Sequence, residues 1–140
     1  MTKKYKILGK YIKDMSSETA DIETYIFVRD YISRYQLTID INSKALKDKM
    51  IEINTIMKFE DKEESKRKFY FEINYSTIIK IDDEIKDKKD LEKIILCDVQ
   101  IEVYPDMEKS LLDMIHNSGY PAVKFEKKVD FEKLYNQRSN

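Results

Sequence analysis

Apolar and polar residues alternate without interruption through Tyr35-Gln36-Leu37-Thr38-Ile39-Asp40-Ile41-Asn42. A period of two is what a strand with one buried face requires. Three other segments read as strands. Tyr5 to Ile12 carries Tyr5, Ile7 and Tyr11 on one side, and Met50 to Phe59 carries Ile51, Ile53, Met57 and Phe59. Lys68 to Ile81 sets Phe69, Phe71, Ile73 and Tyr75 opposite Tyr70, Glu72, Asn74 and Ser76. Glu60 to Arg67 has no apolar residue and reads as a solvated hairpin loop. Met15 to Ser33, with Ile22, Tyr25, Ile26, Phe27, Val28 and Tyr31, is too long and too apolar for a hairpin. It reads as a crossover that packs onto the sheet.

From Asp90 the period becomes helical. Leu91, Ile94, Ile95, Val99 and Ile101 to Val103 form one apolar band, and Pro105 predicts a break and a new helix start. Met107, Leu111, Leu112, Met114 and Ile115 then make a wide apolar face, with Gly119 suited to the left-handed residue after a helix. Asp130 fits an N-cap for a last helix with Phe131, Leu134 and Tyr135 on one side. The pattern predicts an α+β fold, a four-stranded antiparallel sheet with C-terminal helices packed on one face. Residues 1–140 are one domain's worth of chain.

Composition narrows the chemistry. Lys+Arg 26 and Asp+Glu 27 nearly cancel, to a net charge of -1, so the basic excess of a general nucleic-acid binder is missing. The lysine-rich stretches Lys86 to Lys93 and Lys124 to Lys128 have acids within or beside them and read as solvated surface. With Gly 2 there is little material for a phosphate-cradling loop. No stretch is apolar enough to insert in a membrane, and the start lacks a signal-peptide core, so a cytoplasmic protein is expected. Cys97, the single cysteine, leaves no intrachain disulfide or Cys-based zinc site, and His116 beside it in the inventory reads as structural. Clusters such as Asp82-Asp83-Glu84 lack the order of a calcium loop. No catalytic site, metal or cofactor is expected. The chain's apolar supply exceeds one small core's needs, which points to surfaces covered by other subunits or by a bound chain.

The two ends carry the most specific motifs. Tyr11, Lys13, Asp14, Met15, Ser16 and Glu18 stand as aromatic-x-Lys-Asp-aliphatic-Ser-x-Glu near the start. Gly119-Tyr120-Pro121 and Val129-Asp130-Phe131-Glu132-Lys133-Leu134-Tyr135 close the chain. Together with Leu37 to Ile41, Phe69 to Ile73 and Tyr104-Pro105, these resemble the SecB family of bacterial protein-export chaperones over Tyr5 to Gln137. The family's proline-rich crossover is here Thr19-Ala20-Asp21-Ile22-Glu23, and Tyr31 lies near its crossover tryptophan.

The resemblance implies an ATP-independent holdase, a homotetramer built as a dimer of dimers, that keeps secretory preproteins unfolded and delivers them to the translocation ATPase SecA. Matched residue by residue, it implies SecA docking at Asp14, Glu18, Tyr70 and Glu72. It implies a client groove with Leu37, Ile39, Ile41, Tyr31 and Tyr135, flanked by the crossover. The Met107, Leu111, Met114 and Ile115 face is the expected subunit interface. Two alternatives stay open: a SecB-like chaperone devoted to a toxin–antitoxin pair, and a small α+β enzyme or ligand-binding domain using an apolar pocket.

Overall fold

A computed structural model describes residues 4–61 and 69–139. Four strands form one antiparallel sheet in the order β1-β4-β3-β2: β1 Tyr5–Ser16, β2 Gln36–Ala45, β3 Met50–Glu60 and β4 Tyr70–Ile81. The crossover between β1 and β2 carries helix α1, Ile22–Tyr31, and a 3-10 turn, Ile32–Arg34. After β4 come α2 Lys88–Lys93, a π-helical stretch Ile94–Asp98, α3 Val99–Asn117 and α4 Phe131–Ser139. The hairpin loop expected at 60–67 lies almost wholly outside the described residues.

The register explains the core. Phe59 lies opposite Phe71, Met57 opposite Ile73 and Ile51 opposite Ile79, so the odd-numbered residues of β3 and β4 share one face. That face is buried under α3, whose Val99, Val103, Met107, Leu111 and Ile115 recur every four residues and are at most 1% exposed. Leu37 opposite Phe59 and Ile39 opposite Met57 extend the same face onto β2. The even-numbered face carries Tyr70, Glu72, Asn74 and Ile78 with Glu52, Ile56 and Lys58, and no described helix lies on it.

Strand β1 departs from the simple alternation. Its pairing with β4 slips between Ile7 and Gly9 and again between Ile12 and Asp14. Each extra residue is a bulge, and a bulge exchanges the two faces. Tyr5 and Ile7 therefore face the helices, whereas Tyr11, opposite Ser76, faces away and is exposed. The expected grouping of Tyr11 with Tyr5 and Ile7 is thus corrected by one inserted position, Leu8.

Pro105 does not break the helix. It lies inside α3, on the exposed side with Ile101. The carbonyl that loses its amide partner there can turn to solvent, so the helix continues. The irregularity falls earlier, in the π-helical stretch. Gln100, 1% exposed, donates from Nε2 to the Ile95 carbonyl at 3.2 Å. Its Oε1 accepts from the Thr55 hydroxyl at 2.9 Å, which ties this turn to β3. At the far end, Asp130 caps α4 by accepting from the Lys133 amide at 3.0 Å. Phe131 is buried and Tyr135 half-buried, but Leu134 is exposed rather than sharing their side.

Candidate functional site

The helix side carries an apolar trough of about 1170 Å³ between α1 and residues 119–129. Its floor is Tyr35, Leu37 and Phe59; Tyr25 and Ile32 stand on one side, and Tyr120, Val123, Phe125 and Val129 on the other. Small-ligand pockets run to roughly 300–1,000 Å³ and close around their ligand, whereas this trough is larger and open. It suits an extended chain better than a compact molecule.

Local chemistry fixes its walls. Asp21, where the family has prolines, caps α1 by accepting from the Thr24 amide at 2.8 Å. Tyr25 of α1 stacks on Tyr120 with centroids 5.3 Å apart, and its hydroxyl donates to the Gly119 carbonyl at 3.1 Å. Gly119 has φ 110°, and a Cβ there would meet Tyr25 Cε1 at 2.6 Å. Tyr120 meets Phe71 edge-on at 5.7 Å, and Phe125 meets Phe59 edge-on at 5.3 Å. His116 Nε2–H donates to the Val123 carbonyl at 2.7 Å, holding the far wall to α3. Burial, with Asp61 nearby, pushes the Tyr35 hydroxyl up to about 12, so it stays a neutral phenol at working pH.

Of the five residues expected in a groove, Leu37 lines this trough. Ile39 and Ile41 lie farther along β2, half-buried against the core. Tyr31 stands outside, its ring 4.7 Å from Phe27 and under the Arg34 guanidinium at 4.2 Å. Tyr135 packs against the core from α4, its hydroxyl donating to the Lys89 carbonyl at 3.5 Å. The far wall was missed in the sequence. Its signal was the alternation of Val123 and Phe125 with Lys124 and Glu126, in a segment too short to be read as a strand.

Three of the four expected docking residues share the opposite face. Asp14 lies opposite Asn74 and Ser16 opposite Glu72, which sets both carboxylates on the uncovered side of adjacent strands. Tyr70 shares that side, and exposed Glu18 follows the end of β1. A cation sits among them: Lys58, opposite Glu72, places its ammonium 4.3 Å from the Tyr70 ring centroid. Lys13 reaches across β4 to Glu52 on β3 at 2.6 Å, and that hydrogen bond holds the Glu52 carboxyl below its usual range.

The expected subunit interface needs correction. Met107, Leu111 and Ile115 are at most 1% exposed within the protomer, and Met114 is half-buried. The apolar surface of Met107, Leu111 and Ile115 is spent within this protomer, and of the four only Met114 keeps an appreciable part of its surface accessible. The outward side of α3 carries Ile101, Glu102, Pro105 and Asp106 instead. Cys97 is buried, and burial pushes its thiol up, away from thiolate chemistry. Among the described residues no group of His, Cys, Asp and Glu could hold a metal, and no helix is long and apolar enough to cross a membrane.

An aromatic trough on a four-stranded sheet with helices on one face defines an α+β scaffold with a concave apolar surface. Comparison with known proteins makes this particular: the family model for the preprotein translocase subunit SecB matches residues 1–140, and the chain belongs to the SecB family of holdase chaperones. It is 59% identical over 140 residues to a relative from Pelagibacter ubique (strain HTCC1062) described as a protein-export protein SecB, covering 100% of both chains. It is 22% identical over 129 residues to the protein-export protein SecB of Methylocella silvestris, covering 92% of this chain and 78% of that one. Its fold is like that of a Mycobacterium tuberculosis SecB-like chaperone solved with a ChAD peptide from the HigA1 antitoxin. There the TM-score is 0.64 at 8% identity, with 89% of this chain and 91% of that one covered. That likeness concerns the fold alone.

Proposed function

We propose that this protein works in the cytoplasm as an ATP-independent holdase, a single domain over 1–140 assembled as a dimer of dimers, that passes unfolded preproteins to SecA. The trough is the observation that carries the reading. Its floor and walls are aromatic and aliphatic beneath a polar, charged rim, so it accepts many sequences in extended form. The uncovered face with Asp14, Glu18, Tyr70 and Glu72 serves as the SecA surface. Exposed Leu8, Ile12 and Met15 of β1 and Ile101 of α3 are among the exposed apolar residues available for contacts between copies.

Export is favoured over a dedicated toxin–antitoxin role by the 59% relative, whose description names protein export. Native mass spectrometry at micromolar concentration, with and without a denatured preprotein, tests the proposal. A tetramer that gains client mass without nucleotide is expected. A monomer, or a tetramer that gains no client, would contradict it. For SecA, the triple reversal Asp14→Lys, Glu18→Lys and Glu72→Lys is expected to weaken binding about tenfold or more, with the wild-type contact itself weakening as salt rises. Unchanged affinity would remove these residues from the site.

A further inference from the structure

The uncovered face of the sheet has a polar centre. Across the four strands, Tyr11 lies opposite Ser76, Ser76 opposite Asn54 and Asn54 opposite Asn42. Asn74 stands two residues before Ser76 on the same face, with Asp14 opposite it. No described helix lies here, yet Ser76 is 0% and Asn54 8% exposed. Part of the cover is a single side chain. Lys13 reaches from its bulge in β1 over β4 to Glu52 on β3, at 2.6 Å, and the register puts that crossing close to Ser76.

Beneath it, Asn54 Oδ1, Asn74 Oδ1 and Ser76 Oγ are buried without a hydrogen-bond partner. The Asn54 amide nitrogen is engaged, donating to Asn42 Oδ1 at 3.3 Å, so its oxygen is the end left over. Buried acceptors are costly to leave unmatched, and two of these three atoms are amide oxygens with the Glu52 and Asp14 carboxylates beside them. The centre is short of donors. Lys44, opposite Glu52, and Lys58, opposite Glu72, keep the surface mixed in sign, so hydrogen-bond geometry rather than charge must choose what binds. Lys13, a point donor, serves one carboxylate and leaves the amides unmatched. A guanidinium carries five N–H donors in a planar fork and can serve a carboxylate and neighbouring amide oxygens together. We infer that this centre receives an arginine of a docking protein, whose guanidinium takes Glu52 from Lys13 and donates to the Asn54 and Asn74 oxygens. The inference rests on the reading that the uncovered face is the docking surface, and it adds the partner's chemistry, arginine in preference to lysine. Lys13 yields by a change of rotamer, since its side chain is 45% exposed. Asn54 and Asn74 are the specificity-determining residues.

Fluorescence anisotropy with two labelled peptides of equal charge tests this. Both are free of apolar residues; one carries arginines spaced by glycine and serine, and the other has lysines in their place. Wild type is expected to bind the arginine peptide about tenfold more tightly. In the Asn54→Leu, Asn74→Leu variant the arginine peptide is expected to fall to the level of the lysine peptide, whose unchanged binding shows that the variant is folded. Lys13→Gln is expected to tighten the arginine peptide severalfold, a gain that a misfolded protein cannot give. Equal affinities in wild type, binding of neither peptide, or no gain with Lys13→Gln would each overturn the inference. So would a preference kept by the double asparagine variant, which would place the peptide elsewhere, the trough included. The docking reading is tested apart, by SecA and the Asp14, Glu18 and Glu72 reversal. Weakened SecA binding there, alongside equal peptide affinities, overturns the arginine assignment and leaves the docking face standing. Unchanged SecA affinity overturns the face, and the inference with it.

Discussion

At Gly119 the chain leaves α3 with φ 110°, and the space beside its Cα is filled by the Tyr25 ring. Substituting alanine would place a Cβ 2.6 Å from Tyr25 Cε1 and hold a non-glycine residue in a backbone region it disfavours. Tyr25 would have to leave its stack on Tyr120, and the two walls of the trough would separate. Gly119→Ala is expected to cost about 1–3 kcal/mol in urea denaturation and to weaken client holding. An unchanged midpoint would show that the contact is not as close as the geometry requires. The glycine's part as a helix terminator was legible from its place after Met114-Ile115. Its contact with Tyr25, 94 residues earlier, was not, because spacing along a chain says nothing of which rings meet across it.

Helix α3 shows the same division. Its wide apolar face was plain in Met107, Leu111 and Ile115, but a hydrophobic stripe reports that a surface is buried and not what buries it. Here the sheet does, through Ile53, Met57, Ile73 and Ile79, all fully buried with it in one cluster. The continuity of the helix past Pro105 was hidden for a related reason: whether proline is tolerated depends on solvent reaching the freed carbonyl. Two substitutions separate core from outer surface. Leu111→Ala is expected to lower protomer stability by about 2–5 kcal/mol, read by denaturant midpoint. Ile101→Glu, on the 49% exposed outer side, is expected to leave circular dichroism unchanged and shift the native mass to a smaller assembly. A stable Leu111→Ala protein, or an intact tetramer with Ile101→Glu, would contradict this division of α3.

Across the whole molecule the two faces of the sheet differ in what covers them. The helix side carries the core and, at one end, the aromatic trough with its charged rim. The uncovered side carries Asp14, Tyr70 and Glu72, with Lys13, Glu52 and Lys58 making that surface mixed in sign. On the proposed function, such a separation lets a client and a second protein occupy the same protomer without competing for residues. The four strands and their buried faces were legible from period-two alternation, which a two-sided sheet imposes directly. The bulges of β1 were not, since a single extra residue leaves no mark on composition and yet reverses every side chain after it.

The central claim is that an unfolded client lies in the trough between α1 and residues 119–129. Site-specific photo-crosslinking tests it most directly, with a photoreactive phenylalanine analogue placed at Phe125 in the trough or at Tyr11 on the uncovered face. With a denatured preprotein and no nucleotide, the Phe125 position is expected to capture client in high yield, while the Tyr11 position captures little. Client crosslinked chiefly from Tyr11, with Phe125 silent in a protein that still suppresses client aggregation, would contradict the account.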